Sequence, residues 1–183
     1  MSIRHTLLGF LNLRPQTGYD LKKVMDSSTQ AFWHARLSQI YPTLKALEAE
    51  GLIASRVEPQ VGKPDRRVYR ITERGRAELL EWLAESVEHV EPGKSTALLK
   101  LFFSGFLRRE QILVHLRKQL EAHRVELARL RDEIAPMIAT VVAEKGLKRE
   151  GMMWELVREL GERSEQAVVS WLEDAIHRVE TLS

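Results

Sequence analysis

Ile3, Leu7, Leu8, Phe10 and Leu11 recur with the period of a helix, and Arg14-Pro15 closes the run, so a short buried helix is predicted over residues 3–13. Gln16-Thr17-Gly18 is expected to turn the chain. Leu21, Val24 and Met25, opposed by Asp20, Lys22 and Lys23, predict a second helix over residues 19–25, capped near Thr17. After the less regular residues 26–37, Ile40, Leu44 and Leu47 outline a third, amphipathic helix. Ser38 is its expected N-cap. Pro42 is expected in its first turn, where a missing N–H costs little, and Gly51 is placed to end it.

Residues 52–57 and 68–72 then show strand-like composition with partial alternation. The residues between them hold one glycine and two prolines, which predicts a hairpin with an extended, basic tip. Three helices followed by such a hairpin make a winged helix-turn-helix. Helical periodicity resumes over residues 73–87, with Thr72 as N-cap, and breaks at His89-Val90-Glu91-Pro92-Gly93-Lys94. The expected organisation is a winged helix-turn-helix domain over residues 1–88 and a helical domain over residues 95–183, a mainly α fold with a small β-hairpin.

The second half is more regular than the first. Residues 96–107 are rich in apolar side chains. Beyond them Leu113, Leu116, Leu120, His123, Leu127, Leu130, Ile134, Met137 and Val141 alternate in steps of three and four, the spacing of helices packed along a seam. At ~1.5 Å per residue this predicts a helix of about 40 Å with a kink at Pro136. Gly146 separates it from a last helix over residues 150–182, whose broad stripe includes Met153, Leu156, Val157, Leu160, Val168 and Trp171. Two helices with stripes this wide leave apolar surface uncovered, so homodimerisation is expected through Leu113, Leu116, Leu120, Leu127, Leu156, Leu160 and Trp171.

The net charge of +2 conceals an asymmetry. Up to Ala77 the chain carries thirteen Lys and Arg against seven Asp and Glu, a local excess of +6, whereas the remainder carries 15 against 19, or −4. A polyanion is thereby expected to meet the first half. No cysteine occurs, which excludes disulfides, thiolate metal sites and cysteine nucleophiles. The N-terminus lacks a signal-peptide pattern and charges interrupt every apolar run, so a soluble, cytoplasmic protein is expected. Neither the G-x-S-x-G, G-x-G-x-x-G and Walker A motifs nor a metal-ligating histidine pattern is present, so no catalysis, cofactor or metal is expected.

Three blocks carry a family resemblance: Leu7-Leu8-Gly9-Phe10-Leu11 with Thr17-Gly18-Tyr19-Asp20-Leu21; the run from Ser38-Gln39-Ile40-Tyr41-Pro42-Thr43-Leu44 to Gly51-Leu52-Ile53; and Arg67-Val68-Tyr69-Arg70-Ile71-Thr72-Glu73-Arg74-Gly75. In this order they resemble the PadR family of bacterial transcription regulators, and the long helical tail is similar to virulence-activator C-terminal domains. The resemblance implies a homodimeric winged-helix repressor that binds a palindromic operator on double-stranded DNA and releases it when a small hydrophobic or aromatic effector binds. It places Ser38, Gln39, Tyr41, Thr43 and Lys45 on the recognition helix, Tyr19 and Lys22 on the helix before it, and Lys63, Arg66 and Arg67 on the wing. The chemistry agrees, since Gln and Lys hydrogen-bond base edges, Tyr and Thr hydroxyls reach phosphates, and a basic hairpin tracks the backbone. The alternative is a winged-helix adaptor that binds protein and no DNA. Trp33, Trp154 and Trp171 are open to two roles, packing or the floor of an effector pocket. His123 is either a satisfied seam residue or a sensor of pH or ligand.

Overall fold

The computed structural model describes residues 3–29, 36–59, 65–87 and 95–181. These fall into two compact units, Met1–Val90 and Glu91–Ser183.

In the first unit α1 (Ile3–Leu13) is the predicted helix, and α2 (Gly18–Ser28) extends the second prediction at both ends. Thr17 caps α2: its hydroxyl oxygen accepts from the Asp20 N–H at 3.1 Å, while the Asp20 carboxylate accepts from the Thr17 hydroxyl at 2.7 Å. Helix α3 (Leu37–Ala49) buries Ile40, Leu44 and Leu47 completely. It starts two residues earlier than a Ser38 cap would allow. The N-cap is Arg36, whose backbone N–H donates to Gln39 Oε1 at 3.0 Å. Pro42 consequently stands in the second turn, and the ladder bond it cannot donate would have gone to the Ser38 carbonyl at the solvated end of the helix.

The C-terminus of α3 follows the prediction. Gly51 takes φ +73, the Gly51 N–H donates to the Glu48 carbonyl and the Leu52 N–H to the Leu47 carbonyl, a Schellman closure.

The sheet has three strands rather than two. Gln16–Thr17 (β1), expected to be a turn, pairs antiparallel with Val68 and Tyr69 of β3 (Arg66–Ile71), which also pairs with β2 (Ile53–Glu58) in the register Ile53↔Ile71 to Glu58↔Arg66. Gln16 is buried here, and its side-chain amide donates to the Phe10 carbonyl at 3.0 Å, which a lone turn would not require. Helix α4 (Glu73–Ala84) is capped by Thr72 as predicted, and its Leu79 joins the core of Leu7, Leu8, Leu11, Leu21, Met25, Ile40 and Leu44.

In the second unit α5 (Thr96–Phe102) leads through a short 3-10 turn to α6 (Arg109–Arg129). The expected kink is a π-turn, Leu130–Ile134, in which the Ala135 N–H donates to the Leu130 carbonyl five residues back. Pro136, second in α7 (Ala135–Lys145), has no N–H to continue an α-helical ladder, and the widened turn absorbs the defect. Helix α8 (Lys148–Glu180) then returns along α6, burying Leu116, Leu120 and Leu127 against Val169 and Leu172. Arg117 and Arg124 on α6 and Arg131 in the π-turn, each seven residues from the next, meet Glu180, Glu173 and Glu162 in reverse order along α8, at 2.6–2.7 Å. Each exposed pair contributes little energy, yet together they specify an antiparallel direction and one register.

Gly75 is required by a close approach. A Cβ there would stand 2.0 Å from the Leu52 carbonyl oxygen, which already accepts from the Thr72 N–H at 3.0 Å, and the Thr72 hydroxyl is shared between that oxygen at 3.0 Å and the Gly51 carbonyl at 2.8 Å. Gly75→Ala is expected to lower the stability of the winged-helix unit by roughly 3 kcal/mol, read from urea denaturation. A change within 0.5 kcal/mol or so would show that the joint yields.

Arg4 closes the same unit at its surface, donating to Glu50 at 2.9 and 2.5 Å and to Glu78 at 2.6 and 3.1 Å. These hydrogen bonds hold both carboxyls below the ordinary carboxylate value of 4.5. A carboxyl lowered in the folded state adds stability that is complete above its unfolded value and is lost as pH falls through the folded one. Arg4→Met is therefore expected to reduce stability at neutral pH and to flatten the loss of stability below about pH 4.5. Unchanged steepness on the acid side would remove Arg4 from this role.

Candidate nucleic-acid interface

Helix α3 divides its side chains cleanly. Ile40, Leu44 and Leu47 enter the core, while Ser38, Gln39, Tyr41 and Lys45 are exposed and Thr43 is half-buried. The outward face is therefore polar over the helix's first two turns, with Glu48 and Glu50 at its far end. Glu48 is occupied by the Ser55 hydroxyl at 2.5 Å and Glu50 by Arg4. Both acids thus have partners within the unit, away from the start of the helix.

Beside that start lies an open cleft of about 430 Å³, lined by Thr17, Gly18, Tyr19, Asp20, Tyr41, Asp65, Arg66, Arg67 and Tyr69. Three elements meet there. The capped N-terminus of α2 brings Tyr19, α3 brings Tyr41, and the first residues of β3 bring Arg66 and Arg67. Tyr41 is held by contact rather than by a hydrogen bond: a Cβ on Gly18 would come within 2.7 Å of its ring, so the phenol lies against the glycine backbone. Tyr19 and Tyr41 are 67% and 49% exposed.

Electrostatically the cleft is mixed. Asp20 lies 3.7 Å from the Arg66 guanidinium while its carboxylate completes the α2 cap, so that one acid is shared between helix and strand. The separation is long for an ion pair and leaves the Arg66 donors largely available.

Four of the residues singled out in the sequence, Tyr19, Tyr41, Arg66 and Arg67, are brought together here. Ser38, Gln39, Thr43 and Lys45 lie along the adjoining helix outside the cleft's lining. Lys22 is paired with Asp26 one turn along α2. Lys63, like Trp33, lies outside the described residues. Sequence reasoning passed over Thr17, Asp20 and Tyr69 as members of the cleft. The spacing Thr17-x-x-Asp20 is a legible capping box, but nothing in it announces that Asp20 also faces a strand some 45 residues on.

In the second unit His123 Nδ1 lies 2.5 Å from Glu165 Oε2, joining α6 to α8 within one chain. Trp154 and Trp171 stand seventeen residues apart on α8, about 25 Å along its axis, too far to meet within one chain. Leu116, Leu120 and Leu127 are buried inside the unit, whereas Met153, Leu156, Val157, Leu160 and Trp171 remain 45–68% exposed. Among the described residues no cluster of His, Cys, Asp or Glu is arranged for a metal, and no helix is long and apolar enough to cross a membrane.

A winged helix with an exposed third helix and a basic strand beside it defines a class of helix-turn-helix proteins. Residues 7–81 match the model of the transcriptional regulator PadR-like family, and residues 94–180 match that of the virulence activator alpha C-terminal domain. A probable transcriptional regulator of Mycobacterium tuberculosis is 30% identical, covering 95% of each chain, and the negative transcriptional regulator PadR of Bacillus subtilis is 28% identical over 97% of each. Crystal structures of Bacillus subtilis PadR align over 97% of this chain and 98% of that one, in complex with operator DNA at 28% identity and TM-score 0.81, and with p-coumaric acid at 26% and 0.74. The chain belongs to the PadR-like family of transcriptional regulators.

Proposed function

We propose that this protein is a cytoplasmic, homodimeric, non-enzymatic repressor that binds a palindromic operator and leaves it when a small aromatic or hydrophobic effector binds. The observation that carries the DNA reading is the grouping of Tyr19, Tyr41, Arg66 and Arg67 around one cleft at the exposed start of α3. Phenolic hydroxyls and guanidinium groups so gathered suit a phosphodiester, and the polar face of α3 beside them suits base edges in a major groove. Lys63, between the two strands in sequence, and Lys45 on α3 are assigned to the same strand backbone. Lys22, already paired, contributes less. The operator complex of Bacillus subtilis PadR supports this assignment, and its p-coumaric acid complex supports an aromatic effector.

Dimerisation is assigned to the outer face of α8. Met153, Val157, Leu160, Ala167 and Trp171 follow one another at three- and four-residue steps once Ser164 is included, and Leu156 flanks them, an exposed seam of the kind a second copy covers. Two α3 helices would then enter successive major grooves, with half-sites roughly 34 Å apart.

Arg66→Ala with Arg67→Ala is expected to weaken binding to all duplexes alike and to reduce the slope of log affinity against log salt by about 2, one for each phosphate no longer neutralised. An electrophoretic shift of the chain's own upstream DNA at two salt concentrations measures this. Binding that is absent, or indifferent to salt, would favour the protein-adaptor reading. For the dimer, removing α8 would also strip the core from α6, so surface changes are the cleaner probe. Leu160→Asp with Trp171→Arg is expected to give a folded monomer by sedimentation velocity; a dimer that survives both changes overturns the α8 interface.

A further inference from the structure

We infer that Gln39 reads its base pair as a hydrogen-bond donor only, and so selects guanine or thymine over adenine. The inference rests on the DNA-binding reading above. Gln39 is the third residue of α3 and its Oε1 accepts the Arg36 backbone N–H at 3.0 Å. That N–H is a donor, so the amide must present oxygen to it, and the outward-facing atom is Nε2 with two hydrogens. Adenine's two-point partnership with glutamine requires Oε1 to accept from the N6 amino group while Nε2 donates to N7. Here Oε1 is turned back to the Arg36 N–H, so the paired grip would need the same oxygen to accept at the cap and at the base at once. Adenine then offers the free donor only N7, beside an amino group that opposes it, whereas guanine O6 and N7, or thymine O4, accept it without that opposition.

Thr43, one turn further along, is constrained in the same way. Its hydroxyl donates to the Gln39 carbonyl at 2.7 Å, which leaves oxygen lone pairs and a methyl group for a partner. The hydrogen bonds that build the first two turns of α3 thus assign opposite polarities to neighbouring reading positions, donor at Gln39 and acceptor at Thr43.

Gln39→Glu separates capping from reading, because a glutamate oxygen still accepts from Arg36 but no donor remains. The probe is a pool of duplexes randomised over about 20 base pairs, the length of two half-sites and their spacer, selected on wild type, Gln39→Glu and Gln39→Ala. Wild type is expected to enrich guanine or thymine at one symmetric position. Gln39→Glu is expected to lose that preference by about tenfold in favour of cytosine or adenine, which offer amino groups, with other positions unchanged. Gln39→Ala should lose the preference without replacement and should also lower the thermal midpoint, which Gln39→Glu should not. Adenine at the Gln39-dependent position, or a Gln39→Glu pool equal to wild type, overturns the inference while leaving DNA binding intact. Equal weakening for every sequence would make Gln39 a backbone contact and overturn it likewise. A wild-type pool with no enriched sequence would remove the DNA reading and this inference together.

Discussion

The winged-helix unit hinges on one carbonyl. The Leu52 oxygen follows directly on the Schellman closure of α3 and accepts the N–H of Thr72, the residue that caps α4, while the Thr72 hydroxyl is shared between it and the Gly51 carbonyl. Gly75 lets α4 approach that oxygen without a side chain between them. Helix end, strand start and helix start are thereby joined within a few ångströms. The direction in which α3 leaves the core, and with it the face it turns to solvent, depends on that joint more than on the helix's own propensity. Hydrogen bonds between neutral backbone groups contribute modestly one by one, but a set that shares an acceptor tolerates little displacement.

Charge is arranged around the same frame. Arg4 ties the acids Glu50 and Glu78 together, Ser55 occupies Glu48, and Asp20 is divided between the α2 cap and Arg66. Much of the negative charge of the first unit is in this way matched locally, while Arg67 and Lys45 have no ion-pair partner among the described residues. The net excess of +6 in the first 77 residues becomes, through pairing, a field with a direction.

The helical unit solves a different problem. Its α6 and α8 need a shared core and an unambiguous register, which Leu116, Leu120, Leu127, Val169 and Leu172 supply together with three heptad-spaced arginines. What remains outside that core is another apolar strip on α8.

Much of this was determined by the sequence alone. Helix α1 could be bounded from Ile3 to Leu13, the caps at Thr17 and Thr72 and the closure at Gly51 could be named, and the family-level function followed from ordered motifs, because capping, left-handed glycine and helical periodicity are local physics. Tertiary structure decided the rest. Gln16 became a strand because Val68 and Tyr69 offered it an edge, and α3 began at Leu37, with Arg36 as its N-cap, because the Gln39 amide folded back to cap it. Periodicity marked Leu116 and Leu160 as equally apolar, and only packing separated the one buried inside the chain from the one left exposed. The cleft that gathers Tyr19, Tyr41, Arg66 and Arg67 spans nearly fifty residues of sequence. Such a site is a property of how distant segments pack, which no local pattern encodes.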